Sequence, residues 1–252
     1  MGKVYALSDI HGFYSIYEQV KEFLEPDDHV LFLGDAADRG PQGWKCIKAI
    51  LDDPQFTYII GNHDLFLVRR FFGPNKTDNA WLHNANGGQA TMDDIKDSGD
   101  SQEVIESYLK KLARAPLYAE CETDDGQHLY LSHSGAVSHL GNKEIDAEDF
   151  TWDRHHIFHD AEEGIDLIIH GHTPVPYLIE KLDEYSIAED ESMIDGSKEF
   201  IPGQPFYYAN WTKCDIDCST IVTGAATLLD LDTLDATAFF VKGWEEDFLW
   251  RE

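Results

Sequence analysis

Five short segments of this sequence combine glycine with aspartate, asparagine or histidine, and each directly follows a run of apolar residues. They are residues 8–12, 34–40, 61–64, 132–135 and 170–173. Imidazole nitrogens with carboxylate and amide oxygens, and without cysteine, suit borderline divalent metals such as Mn, Fe, Zn or Ni rather than a thiolate site. The donors in these segments that could bind metal are Asp9, His11, Asp35, Asn62, His133 and His172.

The number of donors indicates the kind of metal site. Six donors are too many for a single tetrahedral zinc ion, and one carboxylate that bridges two ions accounts for them better. Two ions about 3.5–4 Å apart stabilise the attacking and leaving oxygens of an in-line displacement and lower the pKa of bound water. The donor set therefore points to hydrolysis of a phosphoester.

The apolar runs before these segments have the length and composition of buried β-strands. They are residues 4–7, 30–33, 56–60, 129–131 and 167–169. Helical spacing between the first three runs predicts βαβ units and a parallel start to the sheet. Open α/β sheets bind ligands outside the carboxyl ends of their strands, so the five segments would converge if their strands shared one sheet edge. Ordinary strand-to-helix turns are also rich in glycine and aspartate, but they do not require histidine.

Composition limits the function further. The chain has 252 residues with 19 basic and 48 acidic side chains, and its formal net charge is −29. This charge argues against nucleic acid or an anionic membrane as the partner, because both require basic residues on the protein. A hydrophobic fraction of 42% is ordinary for a globular protein, and the length favours one large domain. Four cysteines without a C-x-x-C pair, no signal-peptide pattern and no apolar run near ~20 residues favour a cytoplasmic protein.

The order and spacing of the segments resemble a known family. Residues 9–12 read DIHG, residues 34–40 read GDAADRG and residues 61–64 read GNHD, followed by a later His-x-Gly and a final GHT. This combination resembles the metal-dependent phosphoprotein phosphatases of the calcineurin-like metallophosphoesterase superfamily, most closely the compact bacterial and phage Ser/Thr phosphatases. The resemblance implies an α/β fold, a β-sandwich of mixed sheets flanked by helices. It also implies one catalytic domain over residues 1–252, with a small helical cap insertion at about 75–115.

The resemblance implies a role for each metal ligand. Asp9 and His11 would hold the first ion, and Asp35 would bridge the two ions. The ligands of the second ion would be Asn62, His133 and His172. A hydroxide that bridges the ions would attack phosphorus, with Mn as the expected metal and Fe, Zn or Ni as alternatives. In the GHT motif the ligand is the histidine after glycine, so His170 is interpreted as a core histidine.

The remaining residues implied by the resemblance act on the leaving group and the phosphate. His63 would protonate the leaving oxygen, and Asp38 would orient the imidazole and favour its charged form. The residues that would bind phosphate are Arg39, Asn62 and Arg154, since guanidinium groups match phosphate oxygens. The sequence departs from the family pattern at three places. Residues 36–37 are alanines where larger apolar residues are common, residues 133–135 read HSG where HGG is usual, and residues 61–64 read GNHD where GNHE is commoner.

Other segments have simpler interpretations. Trp81 is expected in the core, and residues 86–88 are expected to form a turn. The histidines expected on a solvated helix face are His155, His156 and His159. The acidic residues 183–200 predict a solvated excursion. Residues 243–250 fit either a packed amphipathic segment or a docking tail.

Three functions are compatible with the sequence. The first is a di-metal phosphomonoesterase that acts on phosphoproteins or phosphopeptides, most simply a Ser/Thr protein phosphatase. The second is hydrolysis of dinucleoside polyphosphates, as in related bacterial enzymes that share DIHG and GNHD. Those relatives tend to lack the aspartate before Arg-Gly, so Asp38 favours the phosphatase. The third is a catalytically silent fold that binds a partner through its acidic surface, which the intact ligand set disfavours.

Overall fold

A computed structural model describes most of the chain, namely residues 2–73, 80–83, 86–137, 146–159, 163–189, 193–195 and 197–243. Parts of the predicted cap insertion and most of the C-terminal segment 243–250 lie outside these residues. Within the described residues, the chain forms two five-stranded sheets that pack on one another and are flanked by helices. The predicted α/β sandwich of mixed sheets is confirmed.

The first sheet contains the parallel strands that the N-terminal part of the sequence predicts. Its strands are β1 (Val4–Leu7), β2 (His29–Phe32), β3 (Phe56–Tyr58), β9 (Ala225–Asp230) and β10 (Ala236–Phe240). They lie in the order β10-β9-β1-β2-β3. β1, β2 and β3 run parallel, with Ala6 opposite Leu31 and Val30 opposite Phe56. β9 and β10 complete the sheet in antiparallel orientation.

The second sheet contains the two later strands that the sequence predicts. Its strands are β4 (Tyr118–Glu122), β5 (His128–Ser132), β6 (Leu167–His170), β7 (Phe206–Tyr208) and β8 (Lys213–Asp215). They lie in the order β4-β5-β6-β8-β7, with β5, β6 and β8 parallel and the two edge strands antiparallel. The five predicted strands therefore do not share one sheet edge. They converge because two sheets are stacked.

Helices cover the outer faces of the sheets. They are α1 (Tyr14–Phe23), α2 (Gly43–Asp52), α3 (Asn62–Phe72), α4 (Gly88–Ser98), α5 (Gln102–Leu112), α6 (Ala147–Trp152), α7 (Val175–Glu189) and α8 (Thr220–Thr223), with 3₁₀ helices at Ala80–Leu82 and His155–Phe158. Residues 183–189 of the acidic segment are helical, because α7 continues through them, and the side chains of Asp183 and Glu184 are partly exposed to solvent. Leu178 and Leu182, one helical turn apart, are buried and anchor that helix. Among the described residues, no helix has both the length and the apolar character needed to cross a bilayer.

Two apolar layers hold this arrangement together. Between the sheets, Ala6 of the first sheet packs in one cluster with Leu131 and Ile169 of the second. Leu7 points to the opposite face, because successive side chains of a strand alternate, and joins a cluster formed with the helices. Trp81 is buried in that second cluster, as expected. These layers fix the strand ends from which the polar segments emerge.

Candidate metal centre

The predicted metal ligands lie together where strands of the two sheets end. Asp9 and His11 follow β1, Asp35 follows β2, and Asn62 begins α3 after β3. The ligands that follow β5 and β6 of the second sheet are His133 and His172. All six side chains are buried, with at most 6% of their surface exposed. Donors predicted from five separate segments therefore meet in one buried place.

The loops that present these side chains are locally strained. Of the eleven non-glycine residues with positive φ in the described part of the chain, six are predicted site residues. These six are Asp9, His11, Asp35, Asp38, Arg39 and His172. Each L-residue in the left-handed region costs roughly 1–2 kcal/mol. Such conformations persist where the surrounding structure enforces them, and they cluster at functional sites.

The first cluster of donor atoms surrounds the Asp35 carboxylate on the side of β1. His11 Nε2 lies 3.7 Å from Asp35 Oδ2 and 3.8 Å from Asp9 Oδ1. The Ser8 hydroxyl donates to Asp9 Oδ2, and the backbone N–H of His172 donates to the same oxygen at 3.1 Å. These bonds fix the orientation of the Asp9 carboxylate.

The second cluster lies on the other side of the same carboxylate. Asn62 Oδ1 is 2.8 Å from His133 Nε2 and 2.9 Å from His172 Nδ1. His133 Nε2 is also 3.5 Å from Asp35 Oδ1. Because metal–ligand bonds are about 2.0–2.2 Å long, donor atoms on one ion lie about 3 Å apart. Asp35 contributes a different oxygen to each cluster, which is the arrangement of a bridging ligand.

The tautomers of His11 and His133 test whether these clusters suit a cation. Their Nδ1 atoms lie 2.9 Å from the carbonyl oxygen of Ala37 and 2.7 Å from that of Leu33, and must donate to them. In a neutral ring Nε2 then carries a lone pair. At His133 this lone pair faces the amide oxygen of Asn62, which is another acceptor. Two acceptor atoms that face one another with no hydrogen between them require a cation to hold them together. Metal-bound histidines also donate their other ring N–H to a carbonyl oxygen, as His11 and His133 do. The residues present therefore fit a metal.

The electrostatics of the site agree with this conclusion. Burial lowers the pKa of the three histidines predicted as ligands, namely His11, His133 and His172. These rings are neutral at pH 7, which is the form that binds metal. Burial, together with Asp217 and Asp35, raises the pKa of Asp9 well above its usual value. A buried carboxylate beside other carboxylates lacks a compensating positive charge, which bound cations supply.

The site contains two groups of three potential ligand atoms, and within each group the atoms all lie within 4.8 Å of one another. One group is formed by His11, Asp35 and His63, and the other by Asp9, Asp35 and His133. Both groups include Asp35, and these buried groups of histidine and aspartate are consistent with a two-metal centre. His63 reaches the first group although the resemblance assigns it to acid catalysis. Burial opposes protonation of His63, but Asp35 and Asp38 outweigh it and raise its pKa. Asp38 holds the ring through Nδ1 at 2.7 Å, as the acid role of His63 requires.

Asp38 and His63 form a buried pair beside the metal clusters. Asp38 Oδ2 accepts from His63 Nδ1 at 2.7 Å and from Trp81 Nε1 at 2.5 Å, and Asp38 Oδ1 accepts from Thr91 Oγ1 at 2.8 Å. Asp38 is fully buried. Residues 80–98, within the predicted cap, therefore reach the site through two side-chain donors. Sequence reasoning placed Trp81 in the core but missed both hydrogen bonds, because their partners lie 43 and 53 residues away.

Both arginines predicted to bind phosphate lie at the centre. The guanidinium of Arg39 contacts His11 Nε2 at 2.6 Å and His63 Nε2 at 3.1 Å. Arg154 is partly buried and donates to the backbone carbonyl of His172 at 3.4 Å. Its Nε is buried and has no hydrogen-bond partner among the described residues. Two positive side chains thus stand beside the donor clusters, as a phosphate site requires.

Two further aspartates support the site. Asp64 accepts from the backbone N–H groups of Asp35 at 2.9 Å and Gly61 at 3.0 Å, so the shorter acid of GNHD reaches the neighbouring loop. Asp217 is buried just after β8 and acts electrostatically on Asp9. Sequence reasoning missed Asp217, although an aspartate that follows a strand is the signal that identified the other ligands.

A buried polar network lies behind the loops that follow β5 and β6. The Tyr208 hydroxyl is 2.8 Å from His170 Nε2 and 3.3 Å from His156 Nε2, and His170 Nδ1 donates to the Gly171 carbonyl at 2.9 Å. His170 is therefore a hydrogen-bonded core residue, as expected. The expectation of a solvated face is wrong for His156, which is only 8% exposed. Its ring occupies the space where a side chain at position 135 would lie, and Gly135 leaves that space free.

The stacked mixed sheets and the buried His/Asp donor set define a metal-dependent phosphoester hydrolase. Comparison with known families agrees with this class: the family model described as Calcineurin-like phosphoesterase matches residues 2–176. The chain belongs to the calcineurin-like phosphoesterase family, and the resemblance seen in the sequence is confirmed. The match includes every predicted site residue.

Relatives with named activities include both phosphoprotein phosphatases and dinucleoside polyphosphate hydrolases. Serine/threonine-protein phosphatase 2 of Escherichia coli (strain K12) is 29% identical over 154 residues, which are 59% of this chain and 66% of that protein. The asymmetrical bis(5'-nucleosyl)-tetraphosphatase PrpE of Oceanobacillus iheyensis is 24% identical over 233 residues, 78% of this chain and 86% of that protein. The cold-active protein-tyrosine phosphatase of a psychrophilic Shewanella species aligns with a TM-score of 0.56 at 16% identity, over 96% of this chain and 81% of that chain. This last likeness supports the fold.

Proposed function

We propose that this protein is a di-metal phosphomonoesterase that hydrolyses phosphoserine and phosphothreonine in proteins. The ions would be held by Asp9, His11, Asp35, Asn62, His133 and His172. Manganese is the metal we expect, because nitrogen and oxygen donors without thiolate suit borderline ions. When bound, such ions lower the pKa of water and stabilise charge on the transferred phosphoryl group.

The two arginines would bind the phosphate. Arg39 contacts His11 Nε2, whose single lone pair cannot serve both a guanidinium and an ion. Arg39 therefore has to release this nitrogen when His11 acts as a ligand, and its guanidinium becomes available to phosphate oxygens. Arg154 offers a second guanidinium whose Nε already lacks a hydrogen-bond acceptor in the described part of the chain.

The observation that carries the protein-phosphatase proposal is the buried Asp38–His63 pair. A seryl or threonyl alkoxide is a strongly basic leaving group and needs a proton as its bond to phosphorus breaks. The nucleotide phosphate released from a dinucleoside polyphosphate is far less basic and needs little help. Asp35 and Asp38 raise the pKa of His63 against the effect of burial, so His63 Nε2 is suited to protonate the leaving oxygen.

Substrates whose leaving groups differ in basicity test this proposal. We expect His63→Asn to lower kcat for a phosphoserine peptide by about 10²–10⁴-fold, since general acid catalysis contributes that much. The loss with 4-nitrophenyl phosphate should be at least roughly tenfold smaller, because this leaving group needs less protonation. Manganese content should stay unchanged, and His128→Asn, which alters a more exposed histidine on β5, should keep wild-type rates. Equal losses on both substrates would reject His63 as the general acid.

Hydrolysis of dinucleoside polyphosphates is the second candidate function. The similarity to PrpE of Oceanobacillus iheyensis favours it, because that match spans most of both chains. The net charge of −29 favours a protein substrate, since an acidic surface repels a polyanionic nucleotide. A competition assay with diadenosine tetraphosphate and a phosphoserine peptide separates the two. We expect the higher kcat/KM for the peptide, and the reverse order would support the second function.

A further inference from the structure

A second group of left-handed residues lies outside the metal centre, at the turn between β7 and β8. Ala209, Asn210 and Trp211 have φ values of 55°, 57° and 62°. Three consecutive L-residues rarely adopt this conformation. At the metal centre the same conformation presents functional side chains, and here it presents Trp211, whose side chain is 60% exposed. Observed strain of this kind is a reason to look for a function.

Several hydrogen bonds hold the turn in place. Asp195 Oδ2 accepts from the backbone N–H of Trp211 at 2.6 Å, and Thr212 Oγ1 donates to the carbonyl of Ala209 at 2.6 Å. The Tyr207 ring lies beside the indole, with centroids 5.2 Å apart and planes tilted by 34°. The indole is therefore exposed but already oriented, and an oriented side chain loses little freedom when it binds a partner.

Trp211 forms one wall of a cavity of about 220 Å³, which we call the Trp211 groove. Its lining includes Val175, Asp195, Glu199, Ile201, Tyr207 and Trp211. No lysine, arginine or histidine of the described residues lines it. The lysine adjacent to Glu199, Lys198, pairs with Asp183 at 2.6 Å instead. The groove thus combines aromatic faces with carboxylates, and no basic side chain of the described residues is part of its lining.

The Trp211 groove lies along β7, the edge strand of the second sheet, because Phe206 and Tyr207 line it. At its near end, Val175 follows His172 by three residues and donates its backbone N–H to the Asp217 carbonyl at 3.1 Å. The far end is Trp211, in the turn two residues before β8, and β8 itself covers roughly 7 Å from Lys213 to Asp215. A peptide that reaches both the metal centre and Trp211 must therefore span more than about two extended residues.

We propose that the Trp211 groove binds a lysine or arginine side chain of the phosphoprotein substrate, more than two residues from the phosphorylated position. This inference rests on the proposed protein-phosphatase function. A cation is attracted to the faces of tryptophan and tyrosine, and Asp195 and Glu199 add the complementary charge. Ile201, which is exposed, offers apolar surface to the aliphatic stem of the basic side chain.

Phosphoserine peptides of equal length provide the test. Each carries one arginine two, four, six or eight residues from the phosphoserine, and matched peptides carry glutamine or leucine at the same position. We expect kcat/KM to favour arginine over glutamine by about three- to tenfold at a spacing of four or more residues. The advantage should shrink at high salt, because exposed charges are screened.

Variants connect this preference to the groove. Trp211→Ala and Glu199→Gln should reduce the arginine advantage, Trp211→Tyr should retain most of it, and all three should keep wild-type kcat on 4-nitrophenyl phosphate. Matched controls outside the groove are Phe240→Ala, which removes a side chain that is 53% exposed, and Glu103→Gln. Both controls should keep the full advantage.

The outcomes separate the inference from the proposed function. Equal kcat/KM for arginine and glutamine peptides, or an undiminished advantage in Trp211→Ala, would overturn the groove assignment while phosphopeptide hydrolysis stands. A higher kcat/KM for the leucine peptides would assign the groove to an apolar side chain and also overturn it. Failure of the wild-type enzyme on every phosphopeptide, with turnover of diadenosine tetraphosphate, would overturn the proposed function and the groove assignment together.

Discussion

Replacing Gly61 with alanine tests how closely the loop before α3 packs on the proposed bridging ligand. An added Cβ would lie 2.2 Å from Asp35 Oδ1 and 2.5 Å from the Asp35 backbone nitrogen. Non-bonded heavy atoms normally stay about 3.5 Å apart, so the two loops would have to separate by about 1 Å. The φ of Gly61 is −99°, which alanine adopts readily, so the effect of this substitution is steric.

The shift sets the size of the expected effect. A movement of about 1 Å is half the length of a metal–ligand bond of about 2.0–2.2 Å. Asp35 borders both donor clusters, so both would be disturbed. Losing the orientation of a ligand typically lowers metal affinity about 10–100-fold. We therefore expect Gly61→Ala to weaken manganese binding at both positions by at least about tenfold, measured by calorimetric titration with metal analysis.

Gly126→Ala is the matched control. Gly126 has a φ of +88°, and nothing lies within 4 Å of its added Cβ, so the substitution strains only a local turn. It should lower stability by about 1 kcal/mol and leave manganese affinity unchanged. If Gly61→Ala bound two manganese ions with wild-type affinity, Asp35 could not be the shared ligand and the reasoning would be refuted.

Three further predictions concern the residues around the site and the fold. Trp81→Phe removes a donor to the buried Asp38 carboxylate, so the free energy of unfolding in urea should fall by about 1.5–3 kcal/mol. The kcat for a phosphoserine peptide should also fall, and unchanged stability would contradict the hydrogen bond. Tyr208→Phe leaves His170 Nε2 buried without its partner and should cost about 1–3 kcal/mol in the same assay, with manganese content unchanged. Burial opposes ionisation of Asp53, but hydrogen bonds from a lysine and a tyrosine of α1 and from a backbone N–H outweigh it and hold its pKa below the usual value. This carboxylate therefore stabilises the fold above about pH 4 and ceases to do so as pH falls through its native pKa. Asp53→Asn should lower the free energy of unfolding by about 1 kcal/mol at pH 7 and leave it unchanged in strong acid. A stability difference between variant and wild type that grows on acidification would contradict this.

The strands and the loops that carry the ligands could be predicted because their signals are local. Residues 4–7 form a short apolar run that ends two residues before Asp9, and β1 has these bounds in the structure. The same pattern of a strand followed by polar donors recurs before Asp35 and His133. The ligands and roles assigned to these residues stay predictions, but their convergence in one buried place is a structural finding.

The rest depends on contacts between residues far apart in sequence. The assignment of each strand to one of the two sheets was not predicted, because β5 has the same apolar character as β2 and nothing local states which strands pair. The bond from His133 Nδ1 to the Leu33 carbonyl, for example, joins residues separated by 100 positions. His156 was misjudged for a related reason: it lies in a short 3₁₀ helix, and its burial depends on the space beside Gly135.

Phosphate release from a phosphoserine peptide, followed while chelator-treated protein is titrated with manganese, tests the central claim most directly. The proposed two-metal phosphatase should release no phosphate without metal, and its rate should saturate when two ions are bound per chain. Release that does not depend on added metal, or no release with two ions bound, would contradict the proposed function.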